Sequence, residues 1–506
     1  MCRQPRLLCL ALFAAAALIS PLSAQQRLEK HGGAIPGVAQ FGIHGQPNAN
    51  YGLIFSFTEQ PTSTHGVTFD ITLDQAGVSF QIPGFLGTLD ANGDVNISLP
   101  IPDMPSLAGI TLSMQSFQFH PISEVSNLVR FRMRVAETFS ATLGDALAPI
   151  VTGAAFPQAN GKILLMGGSG PIVQEYDPDL EEFSLHGLVP SANILATQTQ
   201  LADGRILVAG GLGLAGQPVA DSFIYDPATR LSTPAASMNT PRAAHAAAPL
   251  DDGRVLVVGG ARSFNFADLP AFLAGILASS EFYNPATDTF TPGPNLLEQK
   301  MFHSATVLGN GDIMVAGGLS VLPIVNIPIV SPTAQSYSQF LGIFGLPSLM
   351  GEARMLHSAV TLQSGDALLA GGLSIDFTVF LTSGSMLDLR LESVANVVRY
   401  RPGLFGGFSS PIPISDGRIL PLLAPLDDRE ALVAGGIALS LAGDLSTLRL
   451  EGLQSADLVD SSTGGSSRPV GDLAAPRTGG VAVPLPDGTI LVTGGGPLTG
   501  EIYQPN

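Results

Sequence analysis

Tryptophan is absent from this chain, cysteine occurs only at Cys2 and Cys9, and charged side chains make up 13% of 506 residues. Phenylalanine and tyrosine are therefore the only large aromatic packing groups. Beyond residue 9 there is no thiol to serve as nucleophile, metal ligand or disulfide partner. Stability must come from packing over a large core, which a chain of this length can bury. Positive charge is also scarce, with 23 basic against 41 acidic side chains and a net charge of −18. That balance argues against nucleic acid or an anionic membrane surface as a general partner. After the first residues no segment offers ~20 uninterrupted apolar residues, so no transmembrane helix is expected.

The beginning of the chain has the grammar of an export signal. Arg3 and Arg6 precede an apolar stretch from Leu7 to Ile19, and Leu22-Ser23-Ala24 follows as a small-residue cleavage site. Residues 1–24 are therefore expected to be removed, leaving a secreted or periplasmic bacterial protein that starts at Gln25.

What the chain has in abundance is glycine, and the glycine is periodic. Seven Gly-Gly pairs, at Gly167, Gly210, Gly259, Gly317, Gly371, Gly435 and Gly494, each close a short apolar run. Self-similarity near 50 residues marks an array of small β units. Seven residues before each pair lies a turn residue: Asn160, Asp203, Asp252, Asn310, Ser364, Asp428 or Asp487. Glycine follows every one of these except Asp428, where Arg429 stands instead. Asn-Gly and Asp-Gly supply the positive φ of a tight hairpin, so the runs on either side are expected to be paired strands. A third run ends in Tyr176, Tyr225, Tyr283, Tyr337, Tyr400 or Tyr503, with Val459 standing in once. A fourth begins near Phe183, Leu231, Phe290, Phe344 or Phe408.

Four strands per unit, a diglycine ending the second and tyrosine on the third resemble kelch repeats, over roughly Glu137 to Asn506. The resemblance implies an all-β fold, a seven-bladed kelch-type β-propeller of the galactose-oxidase-like kind. The fourth-strand tryptophan usual in kelch is replaced here by phenylalanine. The last unit stops at Tyr503-Gln504-Pro505-Asn506 without a fourth strand, while Phe139 in ETFSAT has the fourth-strand pattern ahead of the first unit. That strand is expected to complete the last blade and remove the open sheet edges. Residues 25–136 lie outside the repeat and read as a small β-sandwich-like domain. Within them Asp90, Asn92, Asp94 and Asn96 alternate like calcium-loop ligands, but position twelve is Ile101 and a hairpin at Asn92-Gly93 explains them equally.

Candidate functional residues come from the repeat register. Seventeen residues before the glycine pair, five consecutive units carry a cation, Arg242, Lys300, Arg354, Arg418 and Arg477, where the first two units have Ile150 and Asn193. These are candidate ligand-binding groups at one channel mouth, since guanidinium forks suit carboxylates. The competing reading is that each pairs within the scaffold. Fourteen before the pair stand His245, His303 and His357; repeat packing accounts for them better than a metal does. The segments after the second strand in units three to six, 266–277, 321–330, 377–394 and 439–453, are too apolar for ordinary solvated loops. They are expected either to form an exposed binding patch or to pack against the amino-terminal domain or one another.

Two functions follow as expectations. The first is a secreted noncatalytic scaffold offering one loop-rich face to a protein, peptide or glycan, with no catalytic residue, metal or cofactor. The second, implied by the kelch resemblance, is a carbohydrate-active enzyme like the sialic acid epimerase of that family. A copper radical oxidase is disfavoured, because its cofactor joins a tyrosine to a cysteine that the mature chain lacks.

Overall fold

The computed structural model describes residues 26–64, 67–119, 124–168, 170–191, 194–265, 268–322, 327–376, 390–403, 406–441 and 448–506. The chain divides into two compact units, one ending at Ala136 and one spanning Glu137–Pro505. Nearly all regular structure is strand.

The first unit holds two antiparallel sheets of three or more strands, besides the two-stranded pairings of Thr62–Thr64 with Val67–Phe69 and of Ala34–Ile35 with Arg134–Val135. Arg27–Gly32, Gly37–His44 and Asp94–Ile101 form one; Val129–Arg132, Thr111–Gln118, Asn50–Ser56 and Leu86–Thr88 form the other. Leu28, Phe41, Ile43, Leu53, Phe85, Met114 and Phe131 share one core. The Asp90 carboxylate accepts the N–H groups of Asn92 and Asp94 at 2.7 and 2.9 Å, and His44 lies 2.8 Å from Asp94. Asp90 thus holds a tight turn, but the strands it joins, Leu86–Thr88 and Asp94–Ile101, lie in different sheets, so the expected hairpin at Asn92-Gly93 is a crossing between sheets instead.

The second unit is built from seven antiparallel sheets of four or five strands. Its turns follow local chemistry. The side chains of Asn160, Asp203, Asp252, Asn310 and Asp487 each accept the N–H two residues on. Where Arg429 replaces glycine, Asp427 accepts the N–H groups of both Arg429 and Glu430 at 2.7 Å. The extra acceptor holds a turn that has no positive φ at Arg429.

The tyrosines on third strands are buried, and most face phenylalanine directly across the ladder. Tyr176 pairs with Phe183, Tyr283 with Phe290, Tyr337 with Phe344 and Tyr400 with Phe408. Ring centroids in the first two pairs and the last are 4.9 Å apart. Cross-strand aromatic pairs stabilise a sheet by area and by ring geometry, so phenylalanine fills the space without tryptophan. Tyr225 faces Ser232 and instead meets His186 Nδ1 through its hydroxyl at 2.6 Å.

The seventh sheet is composite. Its strands Val481–Pro484, Ile490–Thr493 and Thr499–Gln504 take Thr138–Asp145 as the fourth, with Phe139 opposite Tyr503. The N–H of Glu137 also donates to Gln504 O at 2.7 Å.

Neighbouring sheets are stitched by the diglycines. The second glycine donates its N–H to a carbonyl of the next sheet: Gly211 to Arg242, Gly260 to Lys300, Gly318 to Arg354, Gly372 to Arg418 and Gly436 to Arg477. Gly495 of the last sheet donates in the same way to Ile150 of the first at 2.7 Å. Two residues beyond each accepting carbonyl a left-handed residue repeats, at Thr152, Ala244, Phe302, Leu356, Leu420 and Gly479, and again at Leu195. Their N–H groups donate onward, Thr152 to Gly479, Gly479 to Leu420, Leu420 to Leu356, Leu356 to Phe302, Phe302 to Ala244 and Ala244 to Leu195. A strained conformation is held at each because the neighbouring sheet supplies its acceptor.

Candidate functional site

The five cations do not stand on an open rim. Arg242, Lys300, Arg354 and Arg418 are 0% exposed and Arg477 is 1% exposed. Each donates to the carbonyl of the first glycine of its own sheet's pair: Arg242 to Gly259 at 2.8 Å, Lys300 to Gly317 at 3.3 Å, Arg354 to Gly371 at 3.1 Å, Arg418 to Gly435 at 3.0 Å and Arg477 to Gly494 at 3.3 Å. Because the same residue's backbone carbonyl receives the previous sheet's diglycine, one cation ties two sheets together. The spacing of seventeen is the length of a first strand, a turn and a second strand, which returns the chain to the cation that caps it.

Buried charge requires a counter-charge, and the structure supplies partners that the sequence reading did not single out. Arg242 meets Glu281 at 2.7 Å, Arg418 meets Asp457 at 2.7 Å and Arg477 meets Glu501 at 3.0 Å. Lys300 meets Glu298 at 2.9 Å and Ser331 at 2.6 Å, and Arg354 meets the Asn396 side-chain oxygen at 2.7 Å. A signal was present: Glu281, Asp457 and Glu501 all stand two residues before the repeat tyrosine position. Burial pulls Arg354 down to about 10, with the Glu352 carboxylate opposing it. Asn193, at the same register position, lies outside the described residues.

The three histidines are separately housed. His245 Nε2 is 3.1 Å from Thr197 Oγ1 and His357 Nε2 is 2.9 Å from Ser304 Oγ, while neither ring nitrogen of His303 has a hydrogen-bond partner among the described residues. Each ring packs where the preceding sheet's first glycine leaves room, His245 against Gly210, His303 against Gly259 and His357 against Gly317. Burial, with Lys300 and Arg242 adding repulsion at His303 and Arg354, His303 and Lys300 at His357, pushes both imidazoles down to about 3. The unfolded chain holds them near the ordinary 6.5, so between about pH 6.5 and 3 it binds protons that the folded chain excludes. Their contribution to stability is complete above pH 6.5 and is lost as pH falls, by about 1.4 kcal/mol per pH unit per histidine. Urea midpoints measured from pH 7 to 4 should decline, and His303→Leu should make that decline shallower; an unchanged slope would place His303 in a solvated site.

Of the cavities that border the sheets, two are roomy. One of about 440 Å³ is lined by Gly153, Ala155, residues 358–360, residues 421–423 and residues 480–484, all on or beside first strands. No titratable side chain lines it, so it offers no acid–base pair. The other, about 300 Å³, lies among turns and includes Asp203, Arg205 and Asp252. Asp203 and Asp252 are each paired with an arginine at 2.7 Å.

The apolar segments divide between packing and exposure. In the third sheet the segment contains a short helix, Leu269–Leu273, whose first turn is capped by Asp268. Phe272, Leu273 and Ile276 are buried against Ala244, Met301 and Val321. The next three sheets carry added β-hairpins: Leu319–Leu322 with Ile327–Val330, Leu373–Asp376 with Arg390–Ser393, and Ile437–Leu441 with Leu448–Gly452. The three stand side by side, the second strand of each beside the first strand of the next. Residues 266–267, 323–326, 377–389 and 442–447 of these segments lie outside the described residues. Val321 and Val330 are buried, whereas Leu322, Leu448 and Leu450 are exposed, Leu450 by 62%.

Repeated four-stranded sheets stitched through their first strands define a β-propeller-type fold, and comparison with known proteins supports that class. No protein-family model matches the chain, and no curated protein matches it. Among solved structures, a fungal alcohol oxidase of the AA5 family in complex with copper superposes with a TM-score of 0.52 at 18% identity, covering 72% of this chain and 75% of that one. The structure of YjhT superposes with a TM-score of 0.48 at 13% identity, covering 64% of this chain and 99% of that one. The chain is all-β, and the superposition on the AA5 oxidase supports a propeller-type fold.

The copper of that oxidase prompts a test of the residues present here. Among the described residues no group of three His, Cys, Asp or Glu side chains is placed to hold a metal ion. Cys2 and Cys9 lie outside the described residues. A copper site built on three such donors is therefore not present among the described residues.

Proposed function

We propose that the protein is an exported, noncatalytic scaffold whose seven sheets are the blades of a closed propeller, the strand around Phe139 completing the last. Residues 25–136 form its separate amino-terminal domain. The scaffold presents the row of three hairpins to a protein, peptide or glycan. The observation that carries this reading is the hairpin row, with Leu322, Leu448 and Leu450 in solvent. Rigid repeats hold added loops in fixed places, so a binding face can be varied without disturbing the ring. The five buried cations act as braces of that ring and are not ligand contacts.

A glycan array and crosslinking to envelope proteins test the reading. Replacing Leu322 and Leu448 with serine should weaken binding about tenfold or more while leaving the melting temperature within about 2 °C, since exposed side chains contribute little to folding. Binding that is indifferent to both substitutions, or turnover of a sugar by the purified protein, would overturn it. Export predicts an intact mass that begins at Gln25 when the full gene product is recovered outside the cytoplasm; a retained Met1 would refute cleavage.

A further inference from the structure

The last strand of the hairpin row, Leu448–Gly452, has one hydrogen-bonded neighbour, Ile437–Leu441, and no second one among the described residues. All five of its residues are exposed. Leu453 N–H donates to Gly436 O at 2.9 Å, which fixes the phase of the ladder. In an antiparallel pair, residues alternate between bonding inward and pointing their backbone groups outward. Glu451 and Arg449, opposite Ala438 and Ser440, therefore bond inward. Leu448, Leu450 and Gly452 direct N–H and C=O away from the hairpin. An open edge of this kind is a template for another strand.

The sequence of the edge selects the strand that fits. An antiparallel pairing of Leu448–Gly452 with a second copy of itself, centred on Leu450, sets the outward groups of Leu448, Leu450 and Gly452 against those of Gly452, Leu450 and Leu448. The same register places Arg449 beside Glu451 of the second copy, and Glu451 beside its Arg449. Opposite charges directly across a ladder stabilise the pair, and like charges oppose it. Moving the centre to residue 449 or 451 would set arginine against arginine or glutamate against glutamate. Backbone phase and charge thus agree on one two-fold register, in which Leu448 and Leu450 of both copies share one face and the glycine adds no bulk. We infer that two copies of this chain associate through this edge in a two-fold, isologous contact. The contact uses the hairpin row of the proposed binding face but does not depend on that face having another ligand.

Sedimentation of the full mature protein over a concentration series, with salt varied, tests this. The wild type should show a reversible species of twice the chain mass that weakens as salt rises. Leu450→Pro removes an outward N–H that the hairpin does not use, and should raise the dimer dissociation constant at least tenfold with the melting temperature unchanged. Arg449→Glu should do the same, and Arg449→Glu combined with Glu451→Arg should restore the dimer. A wild type that stays monomeric, a dimer indifferent to Leu450→Pro, or failure of the charge swap to rescue would each overturn the inference. Glycan and envelope binding measured on the wild type beside its sedimentation separates the two readings: a protein that dimerises without capturing these partners counts against the binding face alone, and one that captures them while staying monomeric counts against the dimer alone.

Discussion

Gly435→Ala is expected to destabilise the protein by about 3 kcal/mol or more, while Gly479→Ala, in the same seam between sheets, should cost only about 1–2 kcal/mol, the penalty of a left-handed side-chain residue. Both glycines have positive φ, +59° at Gly435 and +64° at Gly479, so conformation alone does not separate them. Space does. A Cβ on Gly435 would stand 2.5 Å from Arg477 O and 3.0 Å from a methyl of Leu422. Arg477 O is the carbonyl that accepts the N–H of Gly436 at 2.7 Å, so relieving the clash pulls one sheet off the next. On Gly479 the nearest atom would be 3.7 Å away. Its counterparts Thr152, Leu195, Ala244, Phe302, Leu356 and Leu420 already carry side chains at φ of 50 to 61°. At about 2 °C per kcal/mol for a large domain, thermal unfolding should place Gly435→Ala about 6 °C or more below wild type and Gly479→Ala within about 4 °C. Equal effects would mean that the diglycines serve backbone conformation and not the approach of neighbouring sheets.

Arg418→Ala should cost about 3–5 kcal/mol, the usual consequence of removing one partner of a buried ion pair. Asp457, 1% exposed, would keep its carboxylate with only Ser415 and that residue's N–H as donors. The carbonyl of Gly435 would lose its donor as well, and that of Ser455 would keep only the N–H of Gly435 at 3.1 Å. Combining Arg418→Ala with Asp457→Ala should recover part of the loss, because the stranded carboxylate is removed with its partner. Arg205→Ala, which breaks an exposed pair with Asp203, should cost no more than about 1 kcal/mol. Chemical denaturation of these variants distinguishes a brace from a ligand contact. Unchanged stability with weakened capture of an acidic partner would return Arg418 to the binding face.

Much of the strand pairing is legible in sequence because it is set by local chemistry. Asp203 and Asp252 take the N–H two residues on, an interaction within reach of any chain that places those residues beside glycine. The pairing of Tyr176 with Phe183 and of Tyr283 with Phe290 follows from a tight turn between adjacent strands. The candidate site was less legible. Arg242 and Arg418 are visible as a register, but their partners Glu281 and Asp457 stand 39 residues further along. Periodicity records that a position recurs, and it does not record whether the position faces solvent. The apolar segments show the same limit: Phe272 and Leu450 belong to segments of like composition, yet one is buried against Met301 and the other stands in solvent.

By itself, then, the sequence determined an all-β chain of repeated four-strand units, because turn residues, strand periodicity and cross-strand aromatics act over a few residues. Only the tertiary structure decided that the recurring cations lie inside with carboxylates and diglycine carbonyls, and that among the described residues no strand covers the edge at Leu448–Gly452. Burial and electrostatic pairing depend on which surfaces neighbouring sheets cover, and that is fixed by contacts between segments far apart in the chain.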